Sequence, residues 1–229
     1  MKKPVLPMVA INMAMSVDGK TATANRKATS FGSERDFRHL LELRTSFDVV
    51  MSGARTIDLN DFTLETGGPR LERMRIRKGL ASSHVRVVVS GTASLSPDST
   101  ILQSGPIIAT TAMAPRKRIR ALSEAGATVV SFGNKEVDVR TLLQWLAKEH
   151  GARKVLCEGG GTLNDLLLRH DLVDEIHLTI CPLILGGNGA PTVSDGTGFA
   201  SLDKASMWEL KKRRQVDGEL FLQYARLRR

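Results

Sequence analysis

Apolar positions along this chain follow two periods. Residues 8–15, 47–51, 85–90, 107–111, 128–132, 154–157 and 175–181 are short, nearly unbroken apolar or β-branched runs, the pattern of strands buried on both faces of a sheet. Elsewhere apolar residues recur three and four apart, at Phe37, Leu40 and Leu41, across 115–125 and 141–150, and at Leu163, Leu166 and Leu167. That spacing collects them on one side of a helix. Ser33, followed by Glu34 and Asp36, reads as the capped, acidic start of the first helix, which runs to about Arg44. Strands alternating with helices build a mainly parallel sheet. The end of the chain differs: residues 208–210 and 219–224 flank Val216-Asp217-Gly218, a β-hairpin signal. The expectation is an α/β fold with a mostly parallel central sheet, helices on both faces and an antiparallel C-terminal hairpin. It is read as one domain over residues 1–229, with a core from about 8 to 227.

The punctuation between these runs carries the candidate chemistry. After the run at 154–157, Glu158-Gly159-Gly160-Gly161-Thr162 leads straight into a helical pattern, giving a strand, a tight turn and a helix N-terminus. Glycines there let main-chain amides approach a ligand, and the helix end offers unpaired N–H groups, so a phosphate or pyrophosphate suits it. A turn needed only for close strand-to-helix packing is the other reading. A long loop at 60–69 is rich in turn formers, and loops of that length usually have a function.

Composition narrows the rest. With 41% hydrophobic residues the chain can bury a core without staples, and its two cysteines, Cys157 and Cys181, lie in apolar runs and suit a reducing compartment. The five histidines are scattered and the cysteines stand alone, so no metal site is expected. Neither a Gly-x-Ser-x-Gly elbow nor a Gly-x-Gly-x-x-Gly fingerprint occurs. A net charge of +9 raises the question of nucleic acid, but aromatics are only 4% and do not interleave with the basic runs at 116–120 and 211–214. Those runs read as solvated faces of a helix and a strand, and the basic surface as suited to anionic small molecules. No apolar run approaches the roughly 20 residues of a membrane span. Residues 1–4 show no signal-peptide pattern, so a cytoplasmic protein is expected.

Seven segments taken in order carry a resemblance. They are residues 12–20, Leu43-Arg44 before Asp48, Gly53-Ala54-Arg55-Thr56, Val87-Val88-Val89-Ser90, Ile108-Ala109-Thr110-Thr111, residues 158–163 and Leu172-Val173-Asp174-Glu175. Together they resemble the riboflavin-pathway reductases, the RibD C-terminal domain and the stand-alone pyrimidinone phosphate reductases, which share a dihydrofolate-reductase-like fold. The resemblance implies NADPH as hydride donor, a phosphorylated small-molecule substrate whose ribosylamino group becomes ribitylamino, and a homodimer. By position it assigns Ala14, Thr56, Asn60, Ser90, Gly91, Gly159, Gly160, Gly161 and Thr162 to the cofactor, and Arg44, Leu64 and Glu158 to the substrate. Arg44 also reads more simply as a cation at a helix C-terminus. Glu158 and Asp18 are the candidates for a proton donor, Asp18 being equally a turn former before Gly19. The chain departs from the family pattern at residues 60–65, where Asn60 replaces a carboxylate and Phe62 a proline. It also departs at Gly67, where an arginine is expected, with Arg70 either its replacement or unrelated to it, and at 27–32, which lack a tryptophan. A dihydropterin or dihydrofolate-type substrate on the same fold is the alternative these departures leave.

Overall fold

The computed structural model describes residues 6–26 and 31–227. The readings at 1–4 and 27–30 lie outside the described residues. In chain order the elements are β1 (Met8–Ser16), α1 (Glu34–Arg44), β2 (Val49–Gly53), α2 (Ala54–Asn60), α3 (Pro69–Arg77), β3 (Val85–Val89), β4 (Ile107–Thr110), α4 (Arg116–Glu124), β5 (Thr128–Ser131), α5 (Val139–His150), β6 (Lys154–Cys157), α6 (Gly161–Arg169), β7 (Glu175–Cys181), β8 (Trp208–Val216) and β9 (Glu219–Arg226). Two compact units emerge, one of residues 1–8 and 41–156, the other of 9–40 and 157–229.

In the first unit the strands run β5-β4-β3-β2-β6, and β2 with β3, β3 with β4 and β4 with β5 are parallel. Val49, Val50, Met51, Val87, Val88, Ile108, Val155 and Leu156 are fully buried, as expected of strands covered on both faces. Helix α5 adds Leu142, Leu143 and Leu146 to this core. It starts where the Asp138 side chain accepts the Thr141 amide at 3.0 Å, and ends at Gly151 with φ +62°.

The second unit pairs β1 with β7 in parallel and β7, β9 and β8 antiparallel, in the order β1-β7-β9-β8. The β8–β9 turn has Asp217 at φ 50° and Gly218 at φ 86°, the two left-handed residues that a tight hairpin requires. The mostly parallel strands and the C-terminal hairpin match the expectation. The basic run at 211–214 is exposed along β8, and Arg116, Lys117, Arg118 and Arg120 are exposed on α4. Among the described residues no helix is long and apolar enough to cross a membrane.

Three local features depart from the sequence reading. Pro69–Arg77 forms α3, where no helix was expected. Phe37, expected on the buried face of α1, is 58% exposed. Strand β7 has reversed polarity: His177, Thr179 and Cys181 are buried, while Ile176, Leu178 and Ile180 are only half-buried. On the polar face, Asp36 of α1 hydrogen-bonds Thr179, and His39 of the same helix lies 5.3 Å from Phe221 and 6.5 Å from His177, ring to ring. The apolar face continues on β9, where Leu220, Leu222 and Tyr224 pair with Ile180, Leu178 and Ile176.

Candidate active site

In the second unit, the turn after β6 opens the N-terminus of α6. Its three glycines have three different settings. Gly159 sits at φ +87°, and a Cβ there would lie 2.6 Å from the Met13 sulfur. Gly160, the N-cap, has φ −71° and ψ −178°, a backbone that any residue adopts; the peptide joining it to Gly159 is cis. A Cβ on Gly161 would lie 2.7 Å from both the Thr192 carbonyl and the Asp195 carboxylate. The amides of Leu163 and Asn164 turn back to the Gly160 carbonyl at 2.9 and 3.0 Å. Those of Gly161 and Thr162 precede the first carbonyl the helix can supply, and Thr162 is exposed. A helix end with open amides attracts anions.

The turn is held from behind. Asn164, fully buried, accepts the Cys157 thiol at 3.3 Å and donates to the Val193 carbonyl at 2.8 Å, while the Asp195 amide donates to the Gly161 carbonyl at 3.0 Å. Burial pushes the Cys157 thiol up to about 12, so it packs and does not react. Glu158, half-buried, follows the last residue of β6 at the start of the turn. Met13 against Gly159 brings β1, and with it the half-buried Ala14, to the same place. Asp18 has a different environment: its carboxylate accepts the Ser16 hydroxyl at 2.6 Å and the amides of Leu185 and Gly186 at 3.1 and 2.7 Å. These bonds, the Ser16 hydroxyl foremost, hold its pKa at about 2. Such a group has no proton to give near neutral pH, which favours its turn-forming role over that of an acid.

In the first unit the predicted residues form two groups. Thr56 and Asn60 lie one turn apart on α2, with the Asn60 amide donating to the Thr56 carbonyl at 2.8 Å. Ser90, 7% exposed at the end of β3, accepts the Ser94 amide at 2.8 Å, and the Gly91 carbonyl accepts the Thr111 hydroxyl at 2.7 Å. Gly91 has ordinary room for a Cβ, with Thr111 at 3.6 Å.

The second group surrounds the loop after α2. Leu64 has φ +52° and a side chain 1% exposed, so what it presents is its carbonyl, which accepts His84 Nε2 at 2.6 Å and Arg86 Nε at 3.2 Å. Arg44, 6% exposed, donates to the next carbonyl, that of Glu65. Arg70 is exposed, 4.0 Å from Glu42, and takes no part in this cluster's recorded bonds. Burial, followed by the charges of Arg44, Arg75 and Arg86, drives His84 down to about 3 despite its bond to Leu64. Its Nδ1 and the Thr66 hydroxyl are buried without a partner among the described residues.

The model of the RibD C-terminal domain matches residues 7–221. The chain belongs to that family. It is 34% identical over 220 residues to the 2,5-diamino-6-ribosylamino-4(3H)-pyrimidinone 5′-phosphate reductase of Methanothermobacter thermautotrophicus, covering 95% of this chain and 97% of that protein. The reductase of the same name from Archaeoglobus fulgidus is 33% identical over 84% of this chain and 88% of its own length. Two solved structures share the fold. A pyrimidine reductase-like protein from Corynebacterium diphtheriae has a TM-score of 0.83 at 19% identity, covering 97% of this chain and 93% of that one. RibD of Acinetobacter baumannii has a TM-score of 0.80 at 22% identity over 97% of this chain, and this chain spans 58% of that longer protein.

For this RibD-family chain, sequence reasoning missed His84, Arg75 and Arg86. All three act on main-chain carbonyls of neighbouring segments. Arg86 alternates with apolar neighbours in β3, and Arg75 follows Leu71 at the helical spacing of four, which with Pro69 at the helix start could have marked α3.

Proposed function

We propose that this chain is an NADPH-dependent reductase of riboflavin biosynthesis, reducing the ribosylamino group of 2,5-diamino-6-ribosylamino-pyrimidinone 5′-phosphate to ribitylamino. The observation that carries this reading is the near full-length likeness to reductases of that name, joined to a glycine turn at the N-terminus of α6. The turn fits a pyrophosphate. Gly160 has a backbone that does not itself demand glycine, so its bareness serves close approach, and Gly161 and Thr162 supply amides. Ala14 offers main chain to the nicotinamide, and Thr56, Asn60, Ser90, Gly91 and Gly159 complete the cofactor set. When bound, NADPH supplies the hydride.

The remaining roles fall to this chain's own side chains. Arg44 holds the anionic substrate, Leu64 fixes the loop through its buried side chain, and Glu158 hydrogen-bonds the substrate and is the leading candidate for moving a proton. Hydride transfer depends on orientation and exclusion of water more than on covalent help from the protein. The test is to give purified, folded protein the ribosylamino phosphate and follow NADPH oxidation. Absence of oxidation rejects the reading.

The chain is further read as a homodimer. The half-buried apolar face of Ile176, Leu178, Ile180, Leu222 and Tyr224 supports this, because a sheet face that buries its polar side and leaves its apolar side partly open suits a partner surface.

A further inference from the structure

Helix α3 carries an arginine where a helix facing a core would carry a leucine. Arg75 is 1% exposed. Its Nε donates to the Ala81 carbonyl at 2.9 Å, and its Nη1 to the carbonyls of Arg44 and Phe47, each at 2.6 Å. Arg44 is the last residue of α1, so one of these bonds answers a carbonyl at a helix end, which also accepts the Phe47 amide at 3.4 Å. Just past α3, Lys78 donates to the hydroxyls of Thr45 at 2.6 Å and Ser46 at 2.8 Å. Both cations converge on the short segment from Arg44 to Phe47.

A buried guanidinium is a costly way to fill space, since desolvation opposes its charge and a hydrocarbon of similar volume meets no such penalty. What it adds is direction. A rigid planar donor fixes the carbonyls it binds, whereas apolar packing has no angular preference of that kind. The main chain so fixed belongs to Arg44, whose side chain in turn reaches the Glu65 carbonyl. We infer that Arg75 is a positioning residue for Arg44, holding the end of α1 so that the Arg44 guanidinium meets the substrate in one orientation. The inference rests on the reading of Arg44 as a substrate contact, and the experiment separates the two.

Steady-state kinetics on the ribosylamino phosphate are measured for Arg44→Ala, Arg75→Lys, Lys78→Met and the double variants Arg44→Ala/Arg75→Lys and Arg44→Ala/Lys78→Met, with NADPH affinity measured alongside. Arg75→Lys keeps the charge and gives up the planar donor. It is expected to raise KM about tenfold while kcat and the NADPH dissociation constant stay within about twofold. In the Arg44→Ala background the same change is expected to add nothing further to KM. An equal rise in both backgrounds, or a loss of kcat or NADPH affinity without a rise in KM, makes Arg75 a general stabilising residue and overturns the inference. Lys78→Met alters an exposed side chain, so it carries the comparison if Arg75→Lys does not fold. A smaller KM rise that vanishes with Arg44→Ala supports the inference, and an unchanged KM overturns it. If Arg44→Ala alone leaves KM unchanged, the assignment of Arg44 to the substrate fails, and the positioning role with it.

Discussion

The three glycines of the turn before α6 can be told apart by giving each a side chain. In Gly161→Ala the new Cβ would be 2.7 Å from the Thr192 carbonyl and the Asp195 carboxylate. Neither moves freely: Asp195 is tied to the Gly161 carbonyl through its amide, and its carboxylate accepts the Thr192 amide at 3.0 Å. Overpacking of this kind costs about 1–3 kcal/mol. In a chain of this size that is a fall in Tm of roughly 2–12 °C, at about 2–4 °C per kcal/mol. The Cβ points into the 192–195 loop, so the proposed NADPH binding is expected to survive. Gly159→Ala is expected to cost about 1–2 kcal/mol through its left-handed φ, with the Met13 contact added. Gly160→Val should act on the ligand: the branched side chain occupies the approach of the pyrophosphate. The assay is thermal unfolding with and without NADPH. Saturation at about a hundredfold over the dissociation constant stabilises the wild type by about 2.7 kcal/mol. That gain should persist in Gly161→Ala, from a lower starting Tm, and disappear in Gly160→Val. A Gly160→Val protein that keeps the full NADPH shift refutes the pyrophosphate assignment; a Gly161→Ala protein with wild-type Tm refutes the packing argument.

Three further outcomes are expected. His84 has a folded pKa of about 3 against an ordinary 6.5, so the unfolded chain binds the extra proton. Its contribution is complete above the ordinary pKa and falls as pH drops below it, by about 2 kcal/mol between pH 6.5 and 5. Urea midpoints across that range should show the loss in wild type and a flatter profile in His84→Gln; equal slopes would contradict the buried neutral imidazole. Asp18, held at about 2, contributes stability that is present above its ordinary pKa of 3.8 and lost as pH falls through the folded value. Asp18→Asn should therefore alter acid unfolding and leave the pH profile of kcat unchanged from about pH 6 to 9, and a displaced kcat profile would restore Asp18 to the chemistry. Leu222→Arg, on the open face of β9, should give a folded monomer by light scattering where the wild type is expected to give a dimer, and an unchanged mass would count against that surface.

What could be read ahead of the structure follows from how directly a residue's neighbours along the chain decide its state. Strands β2, β3 and β4 are legible because Val49, Val50, Val87, Val88 and Ile108 are buried from both sides, leaving no alternation to mislead. The hairpin is legible because Asp217 and Gly218 alone can take its turn. Helix α3 is not, because its buried positions are Leu71 and Arg75 while Ile76 is 57% exposed, which inverts the apolar pattern that identifies a helix. Phe37 fails for a related reason: the face that α1 turns inward carries Asp36 and His39 against Thr179 and Phe221. At the site, the turn itself was legible from three glycines between a strand and a helix, but the separate reasons for Gly159 and Gly161 depend on Met13, Thr192 and Asp195, which only folding brings near.

The hydrogen bonds of Arg44, Arg75 and Arg86 to the loop and helix end have a common consequence for charge. Arg86 donates to the Leu64 carbonyl, Arg44 to that of Glu65, and Arg75 to those of Arg44, Phe47 and Ala81. A carbonyl satisfies a guanidinium N–H without cancelling its charge, whereas a carboxylate would do both. Their joint field contributes to the depression of His84, after burial itself. Glu65 is the acid that acts on Arg86, and it sits on the same loop whose carbonyls the arginines hold. Asp48 acts in the same way on Arg75, so the carbonyls fix these cations in direction while Glu65 and Asp48 offset part of their charge. Burying such a cluster is costly for a folded chain on its own account, and under the role proposed for Arg44 an anionic substrate would offset that cost.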